Sequence, residues 1–265
     1  MDLKNICEKV CELAKLTGNF MRDEKSKITL DIIETKGSHD FVTYVDKTCE
    51  KMLVEGLQKL LPEAGYLVEE KTIDCSQNEL TWIIDPLDGT TNYIHGLDPY
   101  AISIALVNKN EILIGVVYVV SNDECFYAWK DSKAFLNGNE IKVSSRKTIE
   151  DSLIATGFPY YDYKRIQAFM KTLEYFFQES HGVRRLGSAA TDLAYVACGR
   201  FEAFYEYSLS PWDVAAGALI VERAGGKVCD FKGGNDYIYG KEILATNNLV
   251  FSEFLEIIKR FMEIK

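Results

Sequence analysis

Apolar side chains recur at helical spacing near the start of the chain. Leu3, Ile6, Cys7, Val10, Leu13, Ala14 and Phe20 fall on one stripe, with polar residues on the other faces. This pattern predicts a long N-terminal helix. A strand-like stretch at 28–34 and a polar loop at 36–40 follow. A second helix is predicted over 46–61, with Cys49, Leu53, Leu57 and Leu60 on one face and Pro62 ending it. Two short apolar runs, 66–68 and 82–84, read as buried strands. The second is expected to stop at Asp85-Pro86, because proline brings no donor to a strand ladder. Strand patterns at 101–107, 112–119 and 124–129, with turn signals at Asn108-Lys109-Asn110 and Asn137-Gly138, predict an antiparallel sheet.

The stretch 144–151 is polar, and beyond it helix and strand patterns alternate. They predict a strand at 153–156, a helix at 165–178, a strand near Val183, a helix at 189–198 and a strand at 203–207. A helix at 212–224, closed by Gly225-Gly226, leads to short strands near Val228 and Leu244 and a last helix at 251–262. Helices and strands in such blocks give a mixed α/β class with layered sheets. A boundary in the polar stretch divides the chain into 1–146, an α+β unit, and 147–265, an α/β unit.

Composition narrows the function classes. The 265 residues are 47% hydrophobic and 26% charged, ordinary for a globular protein. No apolar run approaches the ~20 residues that span a bilayer, so no membrane partner is expected. The formal charge of −10 argues against nucleic-acid binding, which depends on lysine and arginine neutralising phosphates. It leaves room for a small phosphorylated substrate, because bound cations can supply positive charge locally. Seven cysteines without a CxxC pair read as reduced thiols, and Met1-Asp2-Leu3-Lys4-Asn5 lacks the character of a signal peptide. A cytoplasmic location is therefore expected.

Candidate chemistry concentrates at the ends of elements. Asp85 and Asp88 flank a turn after the 82–84 run, followed by Gly89, Thr90, Thr91 and Asn92. An acidic pair there suits a hard divalent cation, and amides opening a helix suit a phosphate. Glu69 follows the other short strand, and Asp213 opens an apolar helix. Taken singly, each has a plain structural reading. Asp46 and Asp213 can serve as helix caps, Asp85 and Asp88 as turn residues, and Glu69 and Glu206 as solvated charges.

Taken together they are more specific. Asp85-Pro86-Leu87-Asp88-Gly89-Thr90-Thr91-Asn92, with Trp212-Asp213-Val214-Ala215-Ala216-Gly217, resembles the inositol monophosphatase family of magnesium-dependent, lithium-sensitive phosphomonoesterases. The resemblance extends to Val42-Thr43-Tyr44-Val45-Asp46, to Gly187-Ser188-Ala189-Ala190 with Asp192-Leu193-Ala194, and to Ala224-Gly225-Gly226. It implies an alternating αβαβα sandwich of the sugar-phosphatase type.

The resemblance also implies roles for single positions. Glu69, Asp85 and the carbonyl of Leu87 would hold one Mg²⁺. Asp85, Asp88 and Asp213 would hold a second, and Glu69 would serve a weaker third through water. Thr90, backed by Asp46, would activate the attacking water. Gly89 and Thr90 would grip the phosphate, while Asp88, Gly187, Ser188, Ala189 and Glu206 would bind the alcohol. Strand alternation sets Glu69 and Glu70 on opposite faces, with Glu69 assigned inward.

The implied reaction is Mg²⁺-dependent hydrolysis of a small phosphomonoester, inositol 1-phosphate first, by metal-activated water. Fructose 1,6-bisphosphate and adenosine 3′,5′-bisphosphate are alternative substrates, and a regulatory protein that keeps the fold is the alternative of another class. A homodimer is expected by the same resemblance. Elementary energetics agree with metal chemistry. Phosphomonoester hydrolysis requires roughly 20 kcal/mol of barrier lowering, and one general base supplies only ~10²–10⁴-fold. Two cations bridged by a carboxylate can stabilise both the entering and departing oxygens.

Overall fold

Helices and sheets alternate in five layers in the computed structural model, which describes residues 1–27, 34–37, 40–76, 78–109, 111–159 and 162–262. The outer layer pairs α1 (Leu3–Lys25) with α2 (Tyr44–Leu60). Beneath it lies a seven-stranded sheet in sequence order: β3 (Gly65–Val68), β4 (Leu80–Asp88), β5 (Ala101–Asn108), β6 (Glu111–Val119), β7 (Glu124–Trp129), β8 (Ala134–Leu136) and β9 (Asn139–Ile141). β3 runs parallel to β4, and the other neighbours are antiparallel. The middle layer holds α5 (Ala189–Ala197) and α6 (Pro211–Arg223).

A five-stranded sheet follows, in the order β11 (Gly182–Arg184), β10 (Leu153–Thr156), β12 (Ala203–Tyr207), β14 (Glu242–Thr246), β13 (Lys227–Cys229). The last layer is α4 (Ile166–Glu179) with α7 (Phe251–Met262). The expected class and αβαβα layering are what the chain adopts.

Strand alternation builds the cores. Trp82, Ile84, Ile102 and Ile104 face α1 and α2, whereas Ile83, Ala101 and Ala105 face α5 and α6. On the second sheet Ile154, Ala203 and Tyr205 turn to α4 and α7, and Ala155 and Phe204 to the middle layer. Every sheet face is covered, which explains why these strands read as nearly continuous apolar runs. Helix α6 lies close on β6, where a Cβ on Gly115 would come within 2.5 Å of the Ala216 carbonyl oxygen.

Three expectations need correction. β4 does not stop at Pro86 but runs on to Asp88. Asp85 pairs with Ser103 and Asp88 with Ala101, so three steps on β4 match two on β5. The resulting bulge absorbs the donor that proline lacks. Asp46 is not the N-cap residue itself: Thr43 is, and Asp46 in the first turn completes the capping box by accepting the Thr43 amide. Lys36 and Gly37 belong to a strand, β1 (Glu34–Gly37), paired with β2 (Asp40–Val42), rather than to a loop. Most of the strand expected at 28–34 lies outside the described residues. As for the division at 146/147, the first sheet ends before it and the second begins after it. We propose it as a boundary between sheets, because α5 and α6 share one core with both.

Candidate metal and phosphate site

The β4 bulge, the short helix α3 (Thr90–Ile94) and the N-termini of α5 and α6 meet at one cavity of about 490 Å³. The bulge turns both Asp85 and Asp88 to this end of the sheet. Asp85 is buried, and its Oδ1 accepts the Leu87 amide at 2.8 Å. Asp88 is held by α5, where the Ser188 hydroxyl and the Ala190 amide both donate to its Oδ2 at 2.7 Å. Asp213, in the first turn of α6, accepts the Ser210 amide at 2.7 Å, and Pro211 starts that helix without wasting a donor. Single carboxylate oxygens of Asp85, Asp88 and Asp213 lie within 4.8 Å of one another. Three acids from two segments far apart in sequence thus converge on one point.

Such crowding is unfavourable without a counter-charge, and the protonation tendencies register it. Burial, then the charges of Glu69, Asp88 and Asp213, raise the Asp85 carboxyl well above the usual carboxylate range. Burial and Asp88 do the same to Asp213. Asp88 is pushed up to about 6 by burial, with Ser188, the α5 amides and Arg185 opposing. All donors at this point are oxygens, the set that Mg²⁺ prefers, so these residues fit that ion.

Beside the trio, Gly89 opens α3 at a φ of +95°, a conformation other residues strain to adopt. A Cβ there would also meet the carbonyl oxygens of Pro99 and Gly187 at 3.1 and 3.3 Å. The Thr90 hydroxyl lies 3.1 Å from Asp46 Oδ1 and 3.0 Å from the Leu87 carbonyl. Asp46 is itself buried and oriented by the Thr43 amide at 2.8 Å and the Thr43 hydroxyl at 2.6 Å. Burial raises its carboxyl, against those hydrogen bonds.

The other wall is made by Gly187, Ser188 and Ala189, and by Glu206 at the end of β12. Glu206 presses against Gly157, where a Cβ would lie only 2.0 Å from the carboxyl group. Burial, with Asp88, pushes Glu206 up to about 8, and Arg185 opposes. The structure therefore brings the sequence-expected residues to the lining of one cavity, except Asp46, which stands behind Thr90. Glu69 stands against Asp85, although outside the tightest trio. Glu70 lines the cavity as well. Strand alternation does not separate the two, because β3 ends at Val68 and the chain bends there.

Two residues stand in the motifs that carry the resemblance but were given no role there. Asn92 is buried and donates from Nδ2 to the carbonyls of Pro99 and Leu186, both at 2.8 Å, tying α3 to the loop before α5. Asp192, 1% exposed, lines the cavity and its Oδ1 has no hydrogen-bond partner among the described residues. Its signals in the sequence were its place in the Asp192-Leu193-Ala194 motif and a carboxylate inside an apolar helix.

Five alternating layers with an oxygen-donor trio beside a glycine-opened helix define the sugar-phosphatase class of α/β proteins. Within that class, the chain belongs to the inositol monophosphatase family, which matches residues 2–262. It is 38% identical over 229 residues to an inositol-1-monophosphatase of Mesorhizobium japonicum, covering 86% of each chain. It is 39% identical over 245 residues to the Nus factor SuhB of Escherichia coli, covering 91% of each. The crystal structure of the extragenic suppressor protein SuhB from Bartonella henselae superposes with a TM-score of 0.91 at 37% identity, covering 97% of this chain and 99% of that one. Membership of this family carries phosphomonoester hydrolysis and metal dependence.

Proposed function

We propose that this protein is a Mg²⁺-dependent phosphatase of small polyol monophosphates, inositol 1-phosphate first, working as a cytoplasmic homodimer. One observation carries the reading. The oxygens of Asp85, Asp88 and Asp213 converge within 4.8 Å, next to a threonine hydroxyl that is hydrogen-bonded to a buried aspartate. Glu69, Asp85, the Leu87 carbonyl, Asp88 and Asp213 would hold two Mg²⁺ ions, with Glu69 also serving a third. The ions, when bound, supply charge stabilisation for the phosphoryl oxygens and lower the pKa of water.

The chain's own residues do the rest. The amides of Gly89 and Thr90 bind the phosphate and orient it for in-line attack. Thr90 Oγ1 receives a proton from the attacking water and passes its own toward Asp46. Threonine is far too weak a base alone. A buried aspartate whose proton affinity is raised by desolvation is a better acceptor near neutral pH. Asp88, Ser188, Ala189 and Glu206 hold the alcohol, and Gly187 leaves room beside them. Among the described residues, no helix is long and apolar enough to cross a membrane.

The test is phosphate release from inositol 1-phosphate, fructose 1,6-bisphosphate and adenosine 3′,5′-bisphosphate with Mg²⁺, with EDTA, and with LiCl at tens of millimolar. The expected result is the highest kcat/KM for inositol 1-phosphate, loss of activity in EDTA and inhibition by LiCl. Equal sluggishness on all three would remove the polyol preference, and no release from any would remove the phosphatase reading. A second reading is favoured by the relatives bearing the name Nus factor: a regulatory protein that keeps the fold. A partner captured equally by wild type and by an Asp213→Asn variant would support that role.

A further inference from the structure

Asp46 is not the only acid on its face of α2. Glu50 follows four residues later, directly above it on the helix, and is 0% exposed. Its two carboxylate oxygens are both engaged by backbone. The Glu70 amide donates to Oε2 and the Thr72 amide to Oε1, each at 2.7 Å. Between those amides Lys71 adopts a φ of +53°, a left-handed conformation that a non-glycine residue holds only when its surroundings enforce it. On the other side, the Glu69 amide donates to the Ile84 carbonyl on β4 at 3.3 Å. The bend that carries Glu69 is thus fastened at one end to β4 and at the other to a single buried side chain.

We propose that Glu50 is a positioning residue for the metal site: it clamps the 69–72 bend and so fixes where the Glu69 carboxylate stands relative to Asp85. This rests on the reading of Glu69 as a magnesium ligand. A ligand on a bend has no ladder to hold it, and the few hydrogen bonds that define the bend set its position. Fully buried charge is tolerated at Glu50 because two amides accept the role of counter-dipoles, and charge-assisted bonds of this kind are the stronger sort. One helix face therefore orients both halves of the site. Asp46 orients Thr90, and Glu50 orients Glu69. Groups that orient metal ligands typically influence metal affinity by about 10–100-fold when lost.

The test combines wild type with Glu50→Gln and Glu50→Asp. The carboxamide keeps one acceptor oxygen and turns an NH₂ group toward the second amide, while aspartate keeps the charge but is one methylene too short to reach both. In metal-free wild type, hydrogen exchange of the Glu70 and Thr72 amides is expected to be slow. In the variants it becomes fast, and trypsin cleaves after Lys71 at least about tenfold sooner than at other sites. Direct Mg²⁺ titration by calorimetry is expected to show weakening of about 10–100-fold, with a much smaller loss of kcat at saturating Mg²⁺. Solvent-rate exchange of both amides in wild type would overturn the clamp without any variant. Folded variants with wild-type Mg²⁺ affinity and wild-type Lys71 cleavage would overturn it too. If instead Glu69→Gln binds Mg²⁺ normally while the exchange pattern holds, the clamp survives and the ligand reading fails.

Discussion

Two groups of buried carboxylates face each other across this site, and they are treated in opposite ways. On α2, Asp46 and Glu50 are surrounded by donors: the Thr43 amide and hydroxyl and the Thr90 hydroxyl for one, two bend amides for the other. Around the cavity, Asp85 and Asp213 each accept one short backbone hydrogen bond and otherwise meet more negative charge. Asp192 and Glu206 continue that wall: burial raises both, Glu206 and Asp88 further raise Asp192, and Asp88 further raises Glu206, with Arg185 opposing. A buried carboxylate must be neutralised, hydrogen-bonded or protonated. The α2 pair is satisfied by the fold itself and serves to position other groups. In the cavity group negative charges crowd together, and under the proposed function these acids receive cations and the hydroxyls of a substrate.

The largest effect that separates the two groups comes from neutralising one acid in each. Asp85→Asn removes the proposed bridging ligand and is expected to lower turnover by about 10³-fold or more, since metal-based charge stabilisation is worth several kcal/mol. In metal-free protein the same change relieves repulsion, so Tm should rise. Asp46→Asn should lower turnover by about 10²-fold or more through the lost proton acceptor. It should also lower Tm, because the capping arrangement with Thr43 is weakened by about 1 kcal/mol. Steady-state kinetics and calorimetric melts of both variants in EDTA check the contrast. Tm shifts of the same sign would erase it.

Intermediate in size is the response to pH. The cavity acids have raised proton affinities in the folded chain: Asp88 moves from 3.8 to about 6 and Glu206 from 4.5 to about 8. The native state thus binds more protons than the unfolded chain between these values, and stability falls as pH rises through that window. Metal-free protein is expected to melt at progressively lower temperature from about pH 4.5 to about pH 8. Saturating Mg²⁺ should flatten or reverse the trend, since it binds the ionised acids. A flat pH profile in EDTA would mean that these carboxylates are compensated after all.

How much of this could be read from the chain depends on whether a residue's role is local. Asp85, Asp88, Gly89 and Thr90 stand within one turn, and Asp213 opens a helix beside Pro211, so their residue types and spacing already suggest cation and phosphate chemistry. The layered fold was equally legible, because sheets covered on both faces leave long apolar runs. The bulge at Pro86 was not. The rule that proline ends a ladder competes with the rule that a bulge can absorb it, and only the pairing with β5 decides. The roles of Glu50 and Asp192 were not legible for a related reason. A glutamate on a helix and an aspartate inside one acquire meaning only from what packs against them, a bend 20 to 22 positions further along the chain in one case and an acidic cavity in the other.

The smallest expected effect lies on the alcohol side of the cavity, at Gly157. Glu206 occupies the volume that any Cβ on this glycine would fill, at 2.0 Å from its carboxyl group. Alanine there cannot be accommodated unless Glu206 moves, and Glu206 ends a central strand paired with β14, so its backbone has little freedom. The side chain must therefore rotate away from the alcohol. Overpacking a site of this kind costs about 1–3 kcal/mol, part of it in stability and part in binding. The Gly157→Ala variant is expected to raise KM for inositol 1-phosphate about tenfold while kcat changes less, because Thr90 is held by Asp46 and the Leu87 carbonyl, and Asp85 by the Leu87 amide, rather than by Glu206. A change confined to kcat would place Glu206 with the reacting groups rather than with the alcohol, and would move the line drawn here between the two sets of acids.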